Sequence, residues 1–296
     1  MVINILEIII SPVLAFIIGI FFMGLFRKIT ARLHWRYGPP VIQPFLDLIK
    51  LFHQQGFSHG PVFDLGIIMA LAGSIVLILF IPFGGICPIS NSGGLLVIIY
   101  IMLFAPLGIA LSGGEAANPN ISIGISRKLI LALGYEVSFL LALLALMTYY
   151  NTISLVDIVE AQDNYKWALF SPLALSGIAY FIIMPAMLGI RPFDIAGAPQ
   201  EISTGPAIEY GGKYLGLFNI WHALSMFVYI ALFVDLFLGG GSNPLTFFIK
   251  MLVVFILLTF IHGVFPRFRI EQAIKYLWKW PVIISLSGLI LITVIR

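Results

Sequence analysis

The stretch "RKLILALGYEVSFLLALLAL", residues 127–146, is typical of a helix that crosses a membrane. After its two basic residues it is almost wholly apolar, and a span needs roughly 20 such residues at a rise of about 1.5 Å each. One carboxylate interrupts it, because Glu136 lies roughly 12 Å beyond Lys128 along a helix. The stretch therefore predicts a membrane span with an acid near the middle of the bilayer.

The rest of the chain has the same character. Of its 296 residues, 60% are hydrophobic and 10% are charged, whereas globular domains carry about 25% charged residues. We therefore predict an all-α polytopic membrane protein that forms one integral membrane domain over residues 1–296. The first apolar stretch is expected to be a retained span, because it has no cationic start and no small-residue cleavage site. Eight stretches are long enough to span, near residues 3–26, 62–83, 93–112, 129–150, 167–190, 214–238, 245–264 and 278–295.

The Lys and Arg residues predict how these spans are oriented. Thirteen of the sixteen fall in one set of alternate connections, and the other three are Lys166, Lys250 and Arg296. Because cytoplasmic connections are enriched in basic residues, both termini are predicted to lie outside. The predicted cytoplasmic connections hold most of the polar residues and are 27–61, 113–128, 191–213 and 265–277.

Glu136 is the acid that this pattern places deepest. A carboxylate in the membrane is costly unless it faces the protein interior, is neutralised or meets water. Burial favours its protonated form, so this carboxyl could take up and release a proton, as a proton relay requires. The alternative is that Glu136 only forms a hydrogen bond between helices, with Gly134 allowing their close approach.

The third cytoplasmic connection, "RPFDIAGAPQEISTGPAIEYGGK", gathers three of the chain's 13 acidic residues: Asp194, Glu201 and Glu209. Its prolines and glycines forbid a regular helix. Irregular backbone near membrane depth is tolerated only where protein or a water-filled cavity covers it. We infer a folded-in loop that lines a polar cavity and hands protons towards Glu136.

A simpler interpretation of these acids stays open at this point. In it the connection is a solvated loop whose carboxylates pair with nearby cations. Those cations would be Arg191, Lys213, and Arg267 and Arg269 of the segment "PRFR".

The first cytoplasmic connection contains a predicted amphipathic helix. Phe45, Leu48, Ile49 and Phe52 recur at helical spacing after Pro44, a residue tolerated in a first turn. Such a helix suits the membrane interface or a partner surface. A surface helix that only covers the membrane, with no partner, explains the pattern equally well.

Several kinds of site are not supported by the sequence. With one cysteine, Cys87, the chain can form no internal disulfide and no Cys-based zinc or iron–sulfur centre. "EYGGKY" lacks the spacing and the Ser or Thr of a phosphate-binding loop, and no nucleic-acid partner is expected. Asp235 is interpreted as an interfacial residue near the end of its span, and His222 and His262 as packing histidines.

Four segments together resemble one family: "RYGPPVIQPFLDLIKL" (36–51), "YEVS" (135–138), "RPFDIAGAPQEISTGPAIEYGG" (191–212) and "PRFRIEQAIKYLWKWPV" (266–282). Their order and spacing resemble the membrane subunit that joins the two arms of respiratory complex I, called the H subunit in bacteria. Its relatives occur in energy-converting membrane-bound nickel–iron hydrogenases, formate hydrogenlyase and sulfane reductases. The resemblance covers nearly the whole chain and implies eight spans in a prokaryotic cytoplasmic membrane, with both termini outside.

The resemblance also implies a role. The subunit binds no cofactor itself, and couples electron transfer at an iron–sulfur cluster of a neighbour to proton or sodium movement. Expected partners are an iron–sulfur small subunit, a hydrogenase-like large subunit that can carry nickel and iron, antiporter-like membrane subunits and lipid. By this resemblance Glu136, Asp194, Glu201 and Glu209 match the coupling acids. The positions that match the arm junction are Arg36, Asp47, Lys50, Arg267 and Arg269.

The chain departs from the complex I branch at three positions. That branch has glutamates where Gly197, Pro199 and Trp221 stand here. Fewer acids favour the hydrogenase and sulfane-reductase relatives over the alternative, a quinone-binding H subunit of the complex I type. A free-standing transporter is less favoured because the sequence shows one broken segment and no internal repeat. A passive anchor is a further alternative.

Overall fold

The computed structural model describes residues 5–89, 94–116, 118–162 and 166–295. The fold is all-α in this part of the chain, with short 3₁₀ turns at Ala168–Phe170 and Gly205–Ala207. The α-helices in order are α1 (Ile5–Leu33), α2 (Gln43–His53), α3 (Pro61–Phe80), α4 (Gly94–Met102), α5 (Phe104–Glu115), α6 (Pro119–Tyr150), α7 (Leu155–Ala161), α8 (Ala174–Leu188), α9 (Pro199–Ile202), α10 (Gly212–Phe237), α11 (Pro244–Val264) and α12 (Ile270–Ile295).

Seven helical segments in the described residues are long and apolar enough to cross a membrane. They coincide with seven of the eight predicted spans and confirm a multi-pass, all-α membrane protein. Three positions used in the predictions, Ile3, Gly93 and Arg296, lie outside the described residues. The seven segments are α1, α3, α4 together with α5, α6, α10, α11 and α12.

The fifth predicted span, 167–190, is shorter than expected. Its helix, α8, has 15 residues, or about 22 Å, against a hydrocarbon core of about 30 Å. Pro172 lies just before this helix, and Gly189 ends it in a left-handed conformation with φ of 65°. Composition alone overestimated this helix, because the flanking residues are apolar but do not continue the α-helix.

Two other spans differ in detail from the prediction. The third is divided at Leu103 between α4 and α5, because Pro106 has no backbone N–H and its ring crowds the carbonyl of Met102. The fourth, α6, begins ten residues earlier than predicted, at Pro119. Asn118 caps it, since its side chain accepts a hydrogen bond from the backbone N–H of Asn120 at 3.0 Å.

The predicted amphipathic helix is confirmed as α2. Leu48 is buried in a small cluster with Ile20 and Ala223, which ties α2 to α1 and α10. Phe45, Ile49 and Phe52 remain close to half exposed. The apolar face of α2 is therefore only partly covered by its own chain.

The central helix of the bundle is α10. It is the most buried of the spanning helices, and α1, α2, α3 and α8 pack around it. Gly19 permits one of these contacts, because a Cβ there would lie 2.3 Å from the carbonyl oxygen of Ala223. The α10 helix thus carries side chains from the acid-bearing loop at its start to the far end of the bundle.

Candidate functional site

The acid-bearing loop, defined here as residues 189–211, is held by the other predicted cytoplasmic connections. Each of its three carboxylates contacts a different part of them. The contacts are Asp194 Oδ2 with Arg267 Nη2 at 2.8 Å, Glu201 Oε2 with Arg127 Nη1 at 2.8 Å, and Glu209 with Asn118 Nδ2 at 3.0 Å and His59 Nε2 at 3.4 Å. The four connections therefore meet at one end of the bundle, with this loop between them.

Backbone packing brings the loop against α6. A Cβ on Gly124 would lie 2.7 Å from Pro206 Cδ and 2.9 Å from Gly205 Cα. It would also lie 3.1 Å from the carbonyl oxygen of Ala196. The absence of a side chain at this helical position allows the loop to approach the helix that carries Glu136.

Asp194 is the most buried of the three loop acids. Its side chain is 25% exposed, compared with 54% for Glu201. Burial raises the pKa of Asp194 above its usual value, and the ion pair with Arg267 opposes that shift without cancelling it. In contrast, the hydrogen bond and charge of Arg127 lower the pKa of Glu201. Burial thus disfavours the charged form of Asp194, whereas Arg127 favours the charged form of Glu201.

A cavity of about 290 Å³, the loop cavity, lies beneath the acid-bearing loop between α6, α8 and α10. The ammonium of Lys128 lines it and sits 4.0 Å from the centre of the Trp221 ring, at cation–π distance. Its polar lining consists of Asp194, Lys128, His222, Asn219, Ser225, Thr204, Tyr135 and Tyr229.

A second cavity of about 300 Å³, the Glu136 cavity, lies between α4, α5, α6 and α10. Glu136 is half-buried within it, among Leu103, Phe139 and Leu140. Tyr100 also lines this cavity and is 68% exposed, so the cavity opens at the side of the bundle.

The two cavities share part of their walls. Tyr135, Tyr229 and Pro106 line both of them. Tyr135 immediately precedes Glu136 on α6. Tyr229, on α10, lines the same cavity as Glu136. Only these side chains are common to both linings, so Asp194 and Glu136 belong to adjoining chambers.

The other two loop acids lie elsewhere. Glu201 and Glu209, which the family resemblance places among the coupling acids, line neither cavity. The cause is local, because Arg127 holds Glu201 and the pair of Asn118 and His59 holds Glu209. The simpler interpretation, in which the acids pair with nearby cations, describes the pair of Asp194 with Arg267. Glu201 also pairs with a cation, but Arg127 is not one of the four partners that the sequence suggested.

The predicted arm-junction residues mostly lie on the exposed surface at the same end. Arg36, Lys50, Lys213 and Arg269 are exposed. Lys213 packs beside Gly56, where the first connection returns from α2 to the start of α10.

The remaining predicted polar residues at this end have specific partners. Asp47 pairs with Arg27 at 3.0 Å and accepts a hydrogen bond from Gln43 at 2.9 Å, and these contacts lower its pKa. The backbone N–H of Arg191 donates to His262 Nδ1 at 3.1 Å. His262 is thus a hydrogen-bonded packing histidine, as its sequence context predicts.

Comparison with known proteins agrees with this architecture. A family model described as NADH dehydrogenase matches residues 5–293. The second H subunit of NADH-quinone oxidoreductase from Syntrophobacter fumaroxidans is 31% identical over 291 residues, which cover 89% of this chain and 86% of the relative. The H subunit from Dehalococcoides mccartyi is 28% identical over 286 residues, covering 91% of this chain and 80% of the relative. The chain belongs to the NADH dehydrogenase family, among the homologues of the H subunit.

A solved structure adds to this result. A chain in the membrane-bound sulfane sulfur reductase, an archaeal respiratory membrane complex, is 40% identical with a TM-score of 0.93. The match covers 97% of this chain and 98% of that chain. The resemblance drawn from four sequence segments is confirmed. By family, the chain is a membrane subunit of an energy-converting oxidoreductase, and its relatives belong to multi-subunit membrane complexes.

Some residues of this family member were not identified as site residues from sequence. Lys128 and His222 both line the loop cavity, although the sequence predicts a connection residue and a packing residue at these positions. For Lys128 the sequence did contain a signal. Because α6 begins at Pro119, Lys128 lies on the same helical face as Leu131 and Tyr135. No group of three or more His, Cys, Asp or Glu side chains in the described ranges is arranged to hold a metal ion.

Proposed function

We propose that this chain couples electron transfer in a neighbouring subunit to the movement of protons or sodium ions. The proposed route runs from Asp194 through the loop cavity, across the wall formed by Tyr135 and Tyr229, to Glu136. The observation that carries this proposal is that two cavities, each with one half-buried carboxylate, share those tyrosines. Tyrosine hydroxyls both donate and accept hydrogen bonds, so they suit a proton path.

The electrostatics of the loop support a coupling role. An electron added to a cluster near the loop adds negative charge, which acts over several ångströms where the dielectric constant is low. Such a charge favours protonation of Asp194, the loop acid whose pKa burial already raises. Lys128 lines the same cavity, and the same added negative charge would also favour its protonated form.

Two observations favour a sulfane-reductase-like or hydrogenase-like role over quinone binding. The identity to the sulfane reductase chain is 40%, compared with 31% for the relative from Syntrophobacter fumaroxidans. The loop cavity, at about 290 Å³, is also at or below the lower end of the usual size for a small-molecule site, roughly 300–1,000 Å³. Water, ions and side chains fit such a space better than a quinone.

Exposed basic residues at the end of the bundle that carries the acid-bearing loop indicate where partner subunits would dock. We expect a peripheral iron–sulfur small subunit and a hydrogenase-like large subunit to dock where Arg36, Lys50, Lys213 and Arg269 are exposed. Antiporter-like membrane subunits would cover the side of the bundle where the Glu136 cavity opens. The iron–sulfur clusters of the peripheral subunits, and their nickel–iron site where present, would supply the redox chemistry.

Removing the two tyrosine hydroxyls tests the route. In the assembled complex, reconstituted in vesicles, the double variant Tyr135→Phe, Tyr229→Phe keeps both rings and therefore the packing. We expect electron transfer to the acceptor to continue while ion uptake per electron falls about tenfold, equivalent to about 1.4 kcal/mol in a barrier.

Tyr180→Phe is the matched control, because Tyr180 is fully buried and lines neither cavity. It should leave uptake per electron unchanged. If the double variant transports as many ions per electron as the wild type, the route through the shared wall is excluded.

A further inference from the structure

A third buried carboxylate lies far from the proposed route. Asp235 is in the last turn of α10, about 35 Å along that helix from its start at Gly212 beside the acid-bearing loop. It lines neither the loop cavity nor the Glu136 cavity. It is 0% exposed, so the expectation that it is a simple interfacial residue is wrong.

The surroundings of Asp235 offer its carboxyl group no donor. Neither Oδ1 nor Oδ2 has a hydrogen-bond partner among the described residues. A Cβ on Gly240 would lie 2.9 Å from Oδ1, so the chain folds closely over the carboxyl. Gln162 binds the nearby backbone instead, donating to the carbonyl oxygens of Asp235 at 3.2 Å and Leu236 at 3.0 Å.

A cation is present at this end but is engaged elsewhere. The Lys250 ammonium donates to the carbonyl oxygens of Leu238 at 2.7 Å and Gly240 at 2.5 Å. Its nitrogen lies 5.0 Å from the centre of the Trp167 ring. These carbonyls follow the C-terminal end of α10, where the helix dipole also favours positive charge. Lys250 is therefore held by these carbonyls, and neither oxygen of Asp235 has it as a hydrogen-bond partner.

Other ionisable groups face the same end from the elements packed there. Cys87 lies in the connection after α3 and Glu160 on α7, in addition to Lys250 on α11. Burial raises the pKa of Cys87 to about 11, and the charges of Glu7 and Glu160 add to that effect. None of these acidic neighbours would stabilise an ionised Asp235.

An ionised carboxylate that is fully buried and without a donor is strongly disfavoured, whereas the protonated acid is neutral and carries its own donor. We propose that Asp235 is a proton-binding site separate from the proposed route, protonated at rest and able to release its proton during turnover. On release, the O–H bond of the carboxyl breaks and the proton passes to water. The Lys250 ammonium then moves from the two carbonyls to balance the new charge on Asp235. This inference goes beyond the proposed route and does not require it.

Infrared difference spectroscopy on the assembled complex tests the proposal. Spectra recorded before and after electrons are supplied should contain a protonated-carboxyl C=O band that Asp235→Asn removes and Asp235→Glu shifts. Identical difference spectra for the wild type and Asp235→Asn would overturn the proposal. So would the loss, in Asp235→Asn, of a band from an ionised carboxylate.

Stability measurements decide the same question if the spectra of Asp235→Asn cannot be obtained. Asparagine resembles the protonated acid, so Asp235→Asn should assemble and melt close to the wild type. If Asp235 were instead ionised and balanced by Lys250, both Asp235→Asn and Lys250→Met would leave one buried charge uncompensated and destabilise the complex. Strong destabilisation by Asp235→Asn that Lys250→Met reverses in the double variant would therefore contradict the proposal.

Discussion

At the scale of single residues, burial separates acids that look equivalent in sequence. Asp194, Glu201 and Glu209 stand in one irregular segment, yet only Asp194 lines a cavity. The partners of Glu201 and Glu209 could not be predicted, because Arg127 and His59 come from connections distant in sequence. Glu136 was predictable, since one carboxylate in a long apolar helix is conspicuous. The position of its neighbour Tyr135 between the two cavities could not be predicted, because it depends on Tyr229 lining both cavities as well.

The opposite pKa shifts of two loop acids predict opposite effects of pH on stability. The pKa of Asp194 in the folded protein lies above 3.8, so its contribution to stability is fully present below that pH and is lost as the pH rises through the folded value. The wild type should therefore lose stability relative to Asp194→Asn as the pH rises from 3.8 through the folded pKa. The loss should be about 1.4 kcal/mol for each pH unit that separates the folded from the unfolded pKa.

Glu201→Gln supplies the control with the opposite sign. Because the pKa of Glu201 is lowered below 4.5 in the folded protein, the wild type should gain stability relative to this variant as the pH rises through that region. The gain should be about 1 kcal/mol or less, as for other exposed ion pairs. Thermal unfolding in detergent across the pH range measures both. A wild type that gains stability relative to Asp194→Asn with rising pH would contradict the assignment of Asp194 as a desolvated acid.

At the scale of elements, apolar composition predicted which helices exist better than where they end. The α8 helix is cut short by Pro172 and Gly189 although its flanks are apolar. The α6 helix extends to Pro119 through a basic and polar segment that resembled a connection. That extension matters for the site, because it puts Lys128 on the same helix as Glu136 and brings Gly124 against the acid-bearing loop.

The close contact between α6 and the acid-bearing loop predicts that a substitution of Gly124 destabilises the protein. In an open helical position, Gly→Ala stabilises by up to about 1 kcal/mol. At Gly124, however, the new Cβ would meet Pro206 Cδ at 2.7 Å and Gly205 Cα at 2.9 Å. We expect Gly124→Ala to lower stability by about 1–3 kcal/mol, the usual cost of overpacking, and to reduce ion uptake per electron.

Gly114→Ala is the matched control, because Gly114 is also helical and a Cβ there would meet nothing within 4 Å. It should be neutral or slightly stabilising. Thermal unfolding in detergent compares the two variants. Equal effects of both substitutions would show that the loop does not press against α6.

At the scale of the whole molecule, the sequence predicted an all-α membrane bundle and its family, and both are confirmed. It did so because hydropathy sets the number of long helices and because four segments keep the family's order. The sequence predicted a polar cavity at the acid-bearing loop, but not its neighbour around Glu136 or the wall between them, since these depend on how α5, α6 and α10 pack side by side. The orientation in the membrane stays a prediction from the distribution of Lys and Arg.

Cysteine labelling tests that orientation. Gln200 in the acid-bearing loop and Ser242 at the far end of the bundle are both exposed. In a Cys87→Ser background, a membrane-impermeant thiol reagent applied to intact cells should label Ser242→Cys and not Gln200→Cys. Inverted vesicles should give the reverse result. Labelling of Gln200→Cys in intact cells would mean that the acid-bearing loop faces outwards.

The most direct test of the coupling account is the number of ions taken up per electron by the assembled complex carrying Glu136→Gln. Glutamine keeps the size and hydrogen-bonding capacity of the side chain but cannot exchange a proton, so we expect electron transfer to continue and linked ion uptake to be lost. Glu201→Gln, which alters an acid outside both cavities, should preserve uptake. Normal uptake per electron in Glu136→Gln would contradict the central role of this residue.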